Sequence, residues 1–216
     1  RPCFDDEYLP TFNRENVDLI DTGGLGVEKI TPNGVVVAGQ EYEVDCIIFA
    51  TGFEVGTGYE RRAGCQVIGA DGRTLTEKWD EHGVSTLHGL QTRGYPNYFM
   101  LSANQGAFTV NFPHLLEEAA TNTVCIIKHI IDEGYLTVDV EQEAEDEWVK
   151  TIVEKARGPI GAGPGSTECT PGYYNNEGHL NEKARQGAPY GGGSVEFFKL
   201  MEDWRDKGDF KGLEFR

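Results

Sequence analysis

The stretch Asp45-Cys46-Ile47-Ile48-Phe49-Ala50-Thr51-Gly52-Phe53 constrains the fold more than any other in the chain. Cys46 to Ala50 is an unbroken apolar run, too short for an isolated core helix and rich in β-formers. It predicts a central strand buried on both faces, as in a parallel sheet covered by helices. The run ends in Thr51-Gly52, where the chain would leave the carboxyl end of the strand. In open α/β sheets ligands bind at that edge, and glycine lets them approach the backbone. An ordinary strand closed by a glycine turn accounts for the same residues.

Around this strand the pattern is mixed. Residues 1–20 read as a polar lead-in with a short strand at 17–20. Gly23-Gly24-Leu25-Gly26 reads as a plain turn, because no apolar strand-to-helix frame follows it. A meander follows, with strands at 27–31, 35–37 and 42–44. Asn33-Gly34 serves as a hairpin signal, since both residues tolerate positive φ. Residues 65–68 with Asp71-Gly72 predict another hairpin, Trp79 a short polar turn, and 98–102 a strand beside the central one.

Three helices are legible. Over 112–133, Leu115, Leu116, Ala119, Ala120, Thr123, Ile126, Ile127, Ile130 and Ile131 follow the 3, 4 spacing of one buried face. Asn111 can cap this helix, Pro113 fits its first turn and Gly134 stops it. A second helix at 140–156 starts acidic and ends basic, which suits its dipole, and Glu141, Glu143 and Glu145 read as a solvated face. The glycines and prolines of 158–165 require a loop. A last helix at 194–207 is capped by Ser194 and turns Phe198, Met201 and Trp204 inward.

A net charge of −17 with no basic cluster argues against a nucleic-acid partner. No apolar run approaches the ~20 residues of a membrane span. Cys3, Cys46, Cys65, Cys125 and Cys169 lack C-x-x-C spacing and read as reduced thiols of a cytoplasmic protein. None of the five histidines shows H-x-x-x-H or H-E-x-x-H spacing, so no metal site is expected. There is no G-x-S-x-G for a hydrolase elbow, and no G-x-G-x-x-G for a dinucleotide.

Asp45 to Phe53 resembles the D-x-x-x-x-A-T-G-F/Y segment near the end of the FAD domain in flavin-dependent monooxygenases. Arg1-Pro2, then Tyr8 and Thr11-Phe12-Asn13-Arg14-Glu15-Asn16-Val17, is similar to the K-R-P…Y…T/Y-x-N-R-x-N-V stretch of Baeyer–Villiger monooxygenases. Tyr95-Pro96-Asn97-Tyr98-Phe99-Met100 and Asn111-Phe112-Pro113-His114-Leu115-Leu116-Glu117 continue the match over nearly the whole chain.

The resemblance implies an α/β fold: the C-terminal part of a flavoprotein with two Rossmann-like FAD- and NAD(P)-binding domains, bearing a β-meander and long helices. Residues 1–20 would return from the NADPH domain, and 21–138 would complete the FAD domain. Residues 139–216 would form a helical region with a loop covering cofactor and substrate. The implied reaction uses FAD, NADPH and O₂ to insert one oxygen into a ketone through a C4a-peroxyflavin, giving an ester or lactone. The N-terminal FAD- and NADPH-binding part of the same enzyme would be the partner. Alternatives are an N- or S-oxygenating flavin monooxygenase, or an inactive piece that only packs against that part.

The resemblance also assigns residues. Arg1 matches the active-site arginine, whose permanent charge would stabilise a peroxyflavin anion. Thr51, Gly52, Asn111, Phe112, Thr170 and Asn175 match cofactor-binding positions. Gln105, Gly106 and Phe108 fall where the family shapes its ketone pocket. Thr170 stands where a tryptophan is common, and the loop expected at 103–110 departs from the usual Gly-Pro pattern.

Overall fold

The computed structural model describes residues 5–51, 60, 63–101, 104–156 and 183–216. The chain divides into two compact units, Arg1–Gly52 and Phe53–Arg216.

The first unit carries a helical turn, α1 (Tyr8–Thr11), and the meander β1 (Lys29–Ile30), β2 (Gly34–Val37) and β3 (Gln40–Glu43). Its strands pair antiparallel, with Lys29 opposite Val36 and Val35 opposite Tyr42. The first hairpin turns differently from the expected left-handed Asn-Gly. Neither Asn33 nor Gly34 has a positive φ. Instead the Thr31 hydroxyl accepts the N–H groups of Asn33 (3.2 Å) and Gly34 (3.0 Å). Gly34 is needed for a close approach, because a Cβ there would lie 1.9 Å from the Tyr42 carbonyl oxygen. The left-handed turn falls between β2 and β3, at Ala38 (φ 49°) and Gly39 (φ 77°).

Residues 46–50 do not form the central strand that their composition predicts. Ile48 is 85% exposed and Phe49 73%. Residues 17–20 are likewise outside any strand. A strand exists through its ladder, and no neighbour among the described residues pairs with either segment. Apolar, β-branched composition records the capacity to be such a strand, and the partner must supply the rest.

The second unit holds α2 (Leu75–His82), α3 (Phe112–Glu133), β4 (Val138–Val140), α4 (Gln142–Lys155), a 3₁₀ turn (Ala184–Gly187), α5 (Ser194–Lys207) and β5 (Leu213–Phe215). Its core gathers Leu87, Leu115, Ile126, Ile152, Met201 and Trp204. Trp79 lies in α2 and not in a turn. Thr74 caps α2 reciprocally with Glu77: the Thr74 hydroxyl accepts the Glu77 N–H and the Glu77 carboxylate accepts the Thr74 N–H. The expected hairpin at 65–72 reduces to one bridge, Ile68 with Thr74. Residues 98–101 form no strand, although the Met100 N–H donates to the Leu90 carbonyl (2.7 Å). Ser102 lies outside the described residues.

Helix α3 has the expected length and ends on Gly134 in the left-handed conformation. Its buried stripe is narrower than predicted. Leu115, Asn122 and Ile126 are buried, while Ile127 and Ile131 face outward. Asn122 accepts a hydrogen bond from the Arg205 guanidinium on α5, a polar tie inside an apolar face. Helix α4 starts at Gln142 because residues 138–140 pair with β5, Val138 opposite Phe215 and Val140 opposite Leu213. In α5 the cap position belongs to Gly193 and Ser194 is the first helical residue, without a side-chain cap bond. Phe197 takes the inward place expected of Phe198, which is half-buried. No helix among the described residues is long and apolar enough to cross a membrane.

Candidate functional site

Thr51, on the first unit, is exposed and irregular. On the second unit, Gln105, Gly106, Phe108, Asn111 and Phe112 share one stretch leading into α3. The Asn111 side chain accepts the His114 N–H at 3.4 Å and so caps the helix. Phe112 and Phe108 are 48% and 53% exposed, so the stretch leading into α3 presents two half-exposed aromatic side chains. Arg1, Gly52, Thr170 and Asn175 lie outside the described residues.

Gln105 differs from its neighbours. It is fully buried, with φ 57°, and its side chain points into the fold. Its Oε1 accepts from the Thr86 hydroxyl (2.6 Å), and its Nε2 donates to the carbonyls of Val84 and Gln186 (both 2.8 Å). Its own carbonyl accepts the Trp148 indole N–H (3.1 Å). Thr86, Trp148 and Gln186 are supporting residues that sequence reasoning missed. Only Trp148 left a signal, as an aromatic inside an otherwise acidic helix.

A second polar cluster lies beneath α2 and α4. Glu145 is 1% exposed, contrary to the solvated face expected of it. Residues 145, 148 and 152 stand three and four apart, so α4 turns them to the same buried side. The Glu145 carboxylate accepts from Lys78 Nζ (2.9 and 3.0 Å), the Thr92 hydroxyl (2.9 Å) and the Arg93 N–H (2.8 Å). Burial holds the Lys78 ammonium below the ordinary lysine range, outweighing the attraction of Glu145.

His88, at φ 55°, sits edge-on to Trp148 (4.7 Å between ring centroids) and Trp204 (5.3 Å). Its Nδ1 is enclosed without a hydrogen-bond partner among the described residues, and burial pulls the imidazole down to about 4. The folded state therefore binds fewer protons than the unfolded state, whose histidine titrates near ~6.5. Stability is complete above that value and is lost as pH falls from there toward 4, at about 1.4 kcal/mol per pH unit. We expect His88→Asn, which tolerates positive φ, to flatten the stability profile in this window. An unchanged slope in urea unfolding across it would remove His88 as the cause.

No protein-family model matches the chain. Among curated proteins it is 46% identical over 218 residues to pentalenolactone D synthase of Streptomyces exfoliatus, covering 100% of this chain and 37% of that protein. It is 42% identical over 215 residues to Baeyer-Villiger monooxygenase 4 of Dietzia sp., covering 100% of this chain and 34% of that protein. Its fold matches the polycyclic ketone monooxygenase of Thermothelomyces thermophila with a TM-score of 0.80 at 35% identity, over 100% of this chain and 35% of that one. It also matches OTEMO in complex with FAD and NADP, with a TM-score of 0.73 at 26% identity, over 98% of this chain and 37% of that one. The chain thus spans little more than a third of the relatives it matches. Over its whole length it is a relative of the Baeyer–Villiger monooxygenases and corresponds to a part of them.

Proposed function

We propose that the chain is part of an FAD- and NADPH-dependent Baeyer–Villiger monooxygenase that inserts one oxygen atom of O₂ into a ketone, giving an ester or lactone. The observation that carries this reading is that the whole chain matches about a third of a named Baeyer–Villiger monooxygenase. A second observation supports a covering partner: Ile48, Phe49, Val110, Val124 and Ile131 are each more than half exposed. Ile48 and Phe49 on the first unit, and Val110, Val124 and Ile131 on the second, each leave apolar side chains that the FAD- and NADPH-binding remainder of the enzyme would cover. A cytoplasmic location belongs to the same reading, with Cys46, Cys65 and Cys125 as free thiols.

The residues present fit part of the cofactor. The start of α3 offers the positive dipole end of a 22-residue helix, suited to the electron-rich edge of a reduced flavin. Pro113 has no N–H, Thr109 accepts the Asn111 N–H (3.4 Å) and Asn111 accepts the His114 N–H, so the contact would fall to the Phe112 N–H. When bound, FAD reduced by NADPH supplies the activation of O₂. Arg1 would hold the negative charge that develops beside it. Thr51, Gly52, Thr170 and Asn175 would line the cofactors, and Gly106 and Phe108 the ketone. Residues 1–20 would lead in from the NADPH domain, 21–138 complete the FAD domain and 139–216 cover the site. The boundary proposed at 138/139 falls within β4, so this division does not follow the strand limits.

The test is the full-length enzyme with FAD, NADPH, O₂ and a panel of cyclic ketones. Ester or lactone bearing one oxygen from ¹⁸O₂ is expected. Oxygenation of amines or sulfides with no ester from any ketone would overturn the proposal.

A further inference from the structure

We infer that Gln105 is a positioning residue for the substrate wall: it locks residues 186–190 onto loop 104–108 and so fixes Phe108 and the entry to α3. This rests on the reading of that loop as the ketone pocket. The pocket expectation gave Gln105 a lining role, but its side chain has no exposed polar atom. It works from behind the wall.

The lock has several parts. The Gln105 N–H donates to the Ala188 carbonyl (3.0 Å), and the Tyr190 N–H donates to the Gly106 carbonyl (2.9 Å). Nε2 adds a bond to the Gln186 carbonyl, so the returning segment is held three times within five residues. On the other side Thr86 fixes the amide: its hydroxyl donates to Gln105 Oε1 while accepting the Gly89 N–H (2.9 Å). Gly89 lets the loop lie directly upon it, since a Cβ there would stand 2.6 Å from the Asn104 carbonyl oxygen. A glutamine at φ 57° is strained, and such strain persists where the surroundings over-determine the conformation. A glutamine is required because one group must accept from a hydroxyl and donate to two carbonyls at once. Three residues on, the chain presents Phe108, half-exposed, and then the cap of α3.

The test uses the full-length enzyme carrying Gln105→Met or Gln105→Glu. Methionine keeps the length and removes the bonds. Buried glutamate titrates upward from its ordinary range, so low pH leaves a neutral acid that donates to one carbonyl, while high pH sets a carboxylate against both. Displacing a substrate wall by an ångström costs up to ~100-fold. We expect KM for the ketone to rise and ester formed per NADPH to fall by ~10-fold or more, with flavin reduction by NADPH unchanged. In Gln105→Glu the loss should grow with pH, a trend absent from the wild type. Equal loss of flavin reduction and oxygenation, or no change in KM, would overturn the inference. Should Gln105→Met fail to fold, Gln105→Glu carries the test by itself. Hydrogen exchange at the backbone amides of position 105 and Tyr190 must also accelerate in Gln105→Glu, and unchanged protection refutes the lock. If wild-type enzyme makes no ester, the proposed reaction falls while the exchange result still judges the lock.

Discussion

Replacing Glu145 by Ala is expected to remove about 3–5 kcal/mol of stability, the typical cost of breaking a buried ion pair from one side. Lys78 and Glu145 have side chains only 12% and 2% exposed. Without the carboxylate, the Lys78 ammonium keeps the Thr92 hydroxyl (2.7 Å), the Arg93 carbonyl (2.9 Å) and the face of the Tyr95 ring (5.9 Å), none of them a full negative charge. The Arg93 N–H loses its acceptor as well. The pair joins α2 to α4 across 67 residues of sequence, so its loss loosens both. The double variant Lys78→Met, Glu145→Leu should recover much of the loss, because apolar replacements of both partners carry no stranded charge. Urea unfolding of the two variants against wild type measures this. A cost below about 1 kcal/mol for Glu145→Ala would mean that the site behaves like a surface pair.

Trp148→Ala should be comparably severe, about 3–5 kcal/mol. The indole is 6% exposed and stacks on Tyr190 (ring centroids 5.6 Å apart, planes 4° from parallel), with His88 on its edge and Phe197 nearby. Truncation leaves a cavity among these rings and orphans the Gln105 carbonyl. Trp148→Phe keeps most of the packing and gives up the N–H, so it should cost about 1 kcal/mol from the lost hydrogen bond. The gap between the two variants separates packing from hydrogen bonding. Equal melting shifts for both would assign the whole effect to the Gln105 carbonyl.

What the sequence determined by itself was local. The period of 112–133 with Asn111, Pro113 and Gly134 at its ends specified α3, because caps and periodicity act within a few residues. The span of α5 and the strand order of the meander were legible in the same way, although Gly193 takes the cap position expected of Ser194 and Asn33-Gly34 does not make the left-handed turn. The T-x-x-E at Thr74–Glu77 carried α2 equally plainly, although Trp79 was expected in a turn. The motif order from Arg1 to Glu117 pointed to the family for a different reason: identities along the chain need no geometry to be read.

Tertiary structure decided the rest. Whether 46–50 is a strand depends on a neighbour to pair with, and the apolar run alone does not provide one. Whether Glu145 meets water or Lys78 depends on α2, far away in sequence. Strands β4 and β5 are three residues each, too short for a period, and exist because each completes the other's ladder. Gln105 looked like a lining residue because only its position was legible. Its role turns on Thr86, Trp148 and Gln186, brought from 19, 43 and 81 residues away, and hydrogen bonds over such separations are set by the fold and not by spacing.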